Sequence, residues 1–194
     1  MQNIEKTNLF LVVLGGRASK ANVELHDVRW VVGSRIEDTY NKLRDDWFGN
    51  PEGLHIDSYK KINHVDGYKI NIRSIGNQKS KNKKFLNEKN SKKELWFVNI
   101  GGYDPSSMQE KHEFGLVVAS STQEAKIKAK SKWLNGCRKK HKDDIASLKK
   151  LVSCDDCQRI TNLGEWEIEL TLQKNFVEDT NYPDWYGYKR IDKT

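Results

Sequence analysis

Cysteine is scarce. Three cysteines in 194 residues, an odd number in a long chain, exclude a disulfide framework as the main source of stability. Long apolar runs are also missing: none approaches the ~18 residues that span a bilayer, so no membrane partner is expected. Residues 1–7 are polar and lack the apolar core of an export signal, which makes the cytosol the expected compartment. The G-x-x-x-x-G-K-[ST] phosphate loop is absent, since Gly15-Gly16-Arg17 to Lys20 has the wrong spacing and the matching stretch of the second half reads Tyr103-Asp104-Pro105. No other catalytic signature is present, and no cofactor is expected.

What is there points to a globular protein. Charged residues make up 31% of the chain and there are six tryptophans, a composition unlike that of a disordered segment. The length suits one ordinary domain or two small ones.

The second of these is favoured by an internal repeat. Leu9 to Gly16 aligns with Leu95 to Gly102 at an offset of 86 residues. The same offset carries Glu24, His26, Asp27, Val31 and Val32 to Glu110, His112, Glu113, Val117 and Val118, Trp47 to Trp133, and His55 and Asp57 to His141 and Asp143. Tyr68-Lys69-Ile70 then meets Trp166-Glu167-Ile168 at an offset of 98, so 12 extra residues are expected in the second copy between Ala146 and Gly164. The organisation that follows is copy one at 1–74, a Lys/Asn/Ser-rich linker at 75–93, copy two at 94–173 and an aromatic tail at 174–194.

Each copy reads as β-β-α-β-β. An apolar strand at 9–14 ends at Gly15-Gly16, read as a turn because glycine tolerates positive φ. A strand at 28–32 precedes a helix at about 35–48. Ser34 and Glu37 form a capping box there, and Ile36, Tyr40, Leu43 and Trp47 share one face. Copy two repeats this with Ser121, Glu124, Ala125, Ala129 and Trp133. Strands near 55–59 and 67–72 complete the unit, the last matched at 166–172. The expected class is therefore α+β, two tandem ββαββ repeats of small antiparallel or mixed sheet with one covering helix each. Joining the strands into one larger sheet would protect exposed edges, and is the expected arrangement.

The segments Leu14-Gly15-Gly16, Glu24-Leu25-His26-Asp27-Val28, Trp47-Phe48-Gly49, His55-Ile56-Asp57-Ser58-Tyr59 and Asp66-Gly67-Tyr68 resemble the bacterial domain of unknown function 1543, which occurs once or twice per chain. The resemblance is close over 9–72 and looser over 95–172, where Lys111, Glu113, Leu134 and Asn135 depart from the pattern. It implies the domain unit and its duplication, and no reaction.

Two residue clusters could carry chemistry. Residues two apart on a strand share a face, so Glu24 lies beside His26 and His55 beside Asp57. On adjacent strands these pairs would bring two imidazoles and two carboxylates together, suited to acid–base catalysis or a divalent metal, and Glu24, His26, Asp27, His55 and Asp57 are the candidate residues. The same pairs equally suit a polar network that fixes strand register. The second cluster is Cys137, His141, Cys154 and Cys157, the ligand types of a structural zinc site, but with a single C-x-x-C and an unusual Cys137–His141 spacing, so no zinc is expected and the thiols read as free.

Charge is concentrated. Residues 73–94 carry +6 and residues 126–150 carry +8, leaving −7 for the rest of a chain with net charge +7. Lys126, Lys128, Lys130, Lys132, Arg138, Lys139 and Lys140 form a candidate surface for an anionic partner, nucleic acid first and acidic protein second. A non-enzymatic binding protein is the leading functional expectation, and an enzyme or metal binder built on the His/carboxylate cluster the alternative. In the tail, Phe176, Tyr182, Trp185, Tyr186 and Tyr188 are dense enough to pack on the protein's own domain or to support a homo-oligomer.

Overall fold

The computed structural model describes residues 6–77, 93–135, 139–142, 157–173 and 182–193; for 139–142 the backbone alone is described. It is α+β, with antiparallel strand pairs throughout and two short helices. In copy one, β1 (Asn8–Gly16), β2 (Leu25–Gly33) and β3 (His55–Ile62) form a sheet with β1 in the middle. A 3-10 turn (Ile36–Thr39) and α1 (Tyr40–Asp46) lie between β2 and β3. A hairpin of β4 (His64–Val65) and β5 (Tyr68–Ser74) follows. Its turn places Asp66 at φ 52 and Gly67 at φ 82, the double left-handed conformation for which Asp-Gly is suited.

Copy two repeats the plan with β6 (Glu94–Tyr103), β7 (Lys111–Ala119), α2 (Thr122–Lys132), β10 (Asn162–Leu163) and β11 (Trp166–Leu172). Where copy one has the single strand β3, copy two has β8 (Lys139–Lys142) and β9 (Cys157–Ile160). Both pair with β6. Leu14 pairs with Ile56 as Ile100 pairs with Lys142, and Leu9 pairs with Ile62 as Leu95 pairs with Ile160. The offset therefore changes between Lys142 and Cys157, an interval that overlaps the expected one of Ala146 to Gly164. In copy one the corresponding point is a β-bulge, where the ladder is already broken.

Alternation along the central strands assigns their faces. Phe10, Val12 and Leu14 of β1 pack with Leu43 and Trp47 under the first helical segment, while Leu9 and Leu11 join a different core. Likewise Trp96, Val98 and Ile100 of β6 meet Ala125 and Ala129 of α2, while Leu95 and Phe97 face away. The two helix-free faces pack on each other, with Trp30 and Phe97 ring centroids 4.7 Å apart. Ile70, Ile72, Ile168 and Leu170 of the joined β5–β11 ladder close this central core. None of the described helices is long and apolar enough to cross a membrane.

The single joined sheet is thus corrected. Among the described residues three four-stranded groupings form, and strands of the two copies pair only where β5 meets β11. Burying the apolar helix-free faces against each other removes more surface from water than edge pairing alone. Gly15 and Gly16 are also not a turn: both lie within β1, with no positive φ. Glycine is needed there because a Cβ on Gly16 would lie 2.8 Å from the Trp47 ring. The helix box sits one residue later than expected, with Arg35 N donating to Asp38 Oδ2 at 2.8 Å. In copy two the expected cap forms, Ser121 Oγ accepting from Glu124 N at 3.2 Å.

The tail returns to copy one. Its strand β12 (Trp185–Arg190) pairs with β3 as the edge of the first sheet, Trp185 stacks on Tyr59, and Ile191 is fully buried beside Leu54 and Ile56.

Candidate functional site

The register of the first sheet sets Gly15 opposite His26 on one side and His55 on the other, so two imidazoles flank one glycine. A Cβ on Gly15 would lie 2.5 Å from His55 Nε2 and 3.0 Å from Asp57 Oδ2. The missing side chain is therefore the space in which these groups meet. Asp57 is the extra residue of the bulge opposite Val13 and Leu14, and bulges re-aim side chains in this way.

Four of the five residues proposed from sequence come together. His26 Nε2 lies 3.2 Å from Asp57 Oδ2, His55 Nε2 lies 3.2 Å from Asp57 Oδ1, and the same nitrogen lies 3.5 Å from Glu24 Oε1. His55 Nδ1 donates to the Gly53 carbonyl at 2.8 Å, since a carbonyl can only accept. Its Nε2 is thereby directed at the carboxylates. The imidazole is 1% exposed, whereas His26 is 55% and Asp57 30% exposed. The row thus runs from a buried anchor to a solvent-facing imidazole. Tyr188 of β12 lies over His55, ring centroids 4.0 Å apart.

Asp27 does not belong to this row. It lies on the opposite face, where Arg29 NH2 approaches Oδ2 at 2.5 Å and Val28 N donates to Oδ1 at 2.8 Å. Burial raises its carboxyl above the usual range, outweighing the Arg29 charge. The reason is the strand period of two: residue 27 cannot share a face with 24, 26 and Gly15.

Copy two repeats the backbone frame, with Gly101 opposite His112 and His141, and His112 Nε2 lies 3.7 Å from Glu110 Oε2. The His141 side chain and Asp143 lie outside the described residues. So do Cys137 and Cys154, while Cys157 stands in β9, not in the insertion, buried with its thiol 3.9 Å from the Thr122 carbonyl. No group of three or more His, Cys, Asp or Glu side chains among the described residues is arranged to hold a metal ion.

The basic residues are partly committed to intramolecular contacts. Lys128 Nζ donates to the Val118 carbonyl at 2.6 Å and lies 3.8 Å from Asp66, and Lys132 pairs directly with Asp66. Lys126 and Lys130 are on the remainder of α2, beside exposed Ile127. Arg138 and the side chains of Lys139 and Lys140 lie outside the described residues.

Sequence reasoning missed Gly15, Gly53 and Tyr188 as parts of the site. The recurrence of Gly15 as Gly101 beside recurring histidines was an available signal for the first; nothing local marks the other two.

Fold and site together define a duplicated α+β protein with a histidine/carboxylate row in its first copy. The profile of the family described as Domain of Unknown Function (DUF1543) matches residues 21–72 and 107–158, and the chain belongs to that family, present in two copies. Among solved structures, the protein Il1583 from Idiomarina loihiensis is similar, with 31% identity, 97% of this chain and 100% of that chain covered, and a TM-score of 0.66. No curated protein matches the chain.

Proposed function

We propose that the chain is an enzyme whose copy-one row transfers protons, with His26 as general acid and base, Asp57 holding its ring and His55 bracing Asp57. The observation that carries this is the gradient of exposure along a row of close contacts: an accessible imidazole, a carboxylate 3.2 Å from it, and a fully buried second imidazole behind. A base oriented by a carboxylate that is itself fixed is the recurrent geometry of proton transfer. Each copy is read here as a ββαββ unit, the row using its first three strands.

A generic proton-abstraction probe tests the reading without knowledge of the substrate. Elimination of 5-nitrobenzisoxazole should run above the buffer rate and fall by about 10²-fold in His26→Ala, with the thermal midpoint nearly unchanged. Equal rates in wild type and variant, or a large loss of stability in the variant, reject catalysis and leave a polar network that fixes the sheet.

A second reading, a basic surface for nucleic acid or an acidic protein, is favoured by Lys126 and Lys130 lying on the part of α2 not turned to Asp66. Its mark is association that weakens steeply as salt rises.

A further inference from the structure

The two helix-free sheet faces do not stay in contact over their whole length. They are closed at Leu9 and Leu95, which are 0% and 1% exposed, and part toward the opposite end of β1. There Leu11, Val13 and Ser58 face Phe114 and Leu116 across a cleft of about 950 Å³. Val13–Ser58 is the next same-face pair after Gly15–His55, so the cleft begins one step from the histidine/carboxylate row.

The charges around this space are uneven. Lys60 and Lys132, at the cleft, are turned to protein acceptors: the Tyr182 carbonyl at 2.9 Å and the Asp66 carboxylate. Arg190, on the neighbouring strand, is paired with Asp192. Glu24 and Asp57, in contrast, have imidazoles as their ion-pair partners and no lysine or arginine among the described residues. A carboxylate pair next to a cleft whose walls carry an apolar strip of Leu11, Val13, Phe114 and Leu116 complements a cationic head on an apolar body, and repels an anionic one.

We propose that the cleft and the row form one binding site for an amphipathic primary amine. The ammonium sits against Glu24 and Asp57, and the apolar body lies along Leu11, Val13, Phe114 and Leu116. The site thereby draws on both copies, which gives the duplication a functional reason. This rests on the proton-transfer reading for the placement of the head group beside His26, which would exchange a proton with the amine nitrogen.

The test is calorimetric titration of the full chain with n-alkylamines from butylamine to octylamine, beside octanoate and octyl glucoside. Affinity for the amines should rise up to about fourfold per added methylene, the tightening that full burial of a CH₂ gives. Octylamine should bind at least 10-fold tighter than octanoate, by the sign of the charge. Glu24→Gln should reduce that preference severalfold, and both Val13→Phe and Phe114→Ala should weaken octylamine while leaving butylamine little changed. The Trp133 indole, which lines the cleft, should shift in NMR spectra on octylamine binding. Octanoate binding as tightly as octylamine, no saturable amine binding, or octylamine binding indifferent to both cleft variants would each overturn the proposal. If amines fail to bind while the elimination still depends on His26, the substrate class is wrong and the acid–base reading stands.

Discussion

Gly15 shows how one missing side chain determines a site. The row needs two imidazoles and a carboxylate within hydrogen-bonding range across three strands, and a methyl group at Gly15 would overlap His55 Nε2. Gly15→Ala should destabilise the protein by about 1–3 kcal/mol, the usual cost of overpacking. It should also displace His55 from Asp57, seen as a shift of both histidine rings in NMR spectra. A wild-type melting curve and unchanged ring resonances would show that the neighbourhood is looser than described. Glu124 illustrates a different residue-level effect. Lys93 first, then Ser120, hold its carboxyl well below the usual range. A depressed folded-state pKa contributes stability that is fully present above the unfolded value of about 4.5 and is lost as pH falls below it. Glu124→Gln should therefore be less stable than wild type at neutral pH, with the difference shrinking on acidification below that value. Parallel stability curves for the two proteins across that range would contradict it.

Single elements act here across large sequence distances. The β4–β5 turn carries Asp66, whose Oδ2 accepts from Val118 N at 2.8 Å while its other contacts go to Lys128 and Lys132. One carboxylate thus ties the copy-one hairpin to β7 and α2 of copy two. Asp66→Ala leaves a backbone N–H unsatisfied in a largely covered position and should cost about 1–3 kcal/mol. Lys132→Gln removes only a partly exposed partner and should cost less than about 1 kcal/mol. Denaturant unfolding of the two variants checks the order, and a reversed order would mean that the charge pair and not the backbone bond holds the hairpin. The β12 strand behaves likewise: Ile191 is fully buried in the copy-one core, so Ile191→Ala should cost about 2–5 kcal/mol and loosen Tyr188 over His55.

For the molecule as a whole, the copies are repeats in sequence but not independent in space. The central core draws Leu9, Ile62 and Ile70 from copy one and Leu95, Leu116, Val118 and Ile160 from copy two, and the copy-one sheet is completed by β12 from beyond copy two. A fragment of residues 1–74 should consequently fail to fold cooperatively, giving a broad, non-sigmoidal melt by circular dichroism. A sharp transition from that fragment would show that each copy is self-sufficient. The charge distribution belongs to this scale too. Lys126 and Lys130 lie on the side of α2 away from Asp66, and replacing both by Gln should lower any α2-dependent nucleic-acid association measured at low ionic strength. Full retention of binding would move that surface elsewhere.

By itself, the sequence determined the duplication, the α+β class and the buried helix stripe of Ile36, Tyr40, Leu43 and Trp47; it set Glu24 beside His26 and His55 beside Asp57, of which the second pair forms, while His26 meets Asp57 and Glu24 meets His55. All of these rest on local periodicity or on residues recurring at a fixed offset, which a linear chain displays directly. Tertiary structure alone decided that Asp27 is turned away, since a strand puts neighbours on opposite faces and only the register says which face meets the partner. It decided that Gly15 and Gly16 serve close packing against His55 and Trp47 and not a turn, because space is a property of what arrives from elsewhere in the chain. It decided, too, that Cys157 is a core strand residue, that two lysines of the basic helix are held by Asp66, and that the aromatic tail roofs the site of the first copy. Contacts between residues a hundred or more positions apart leave no periodic trace, and these are the contacts that complete the site.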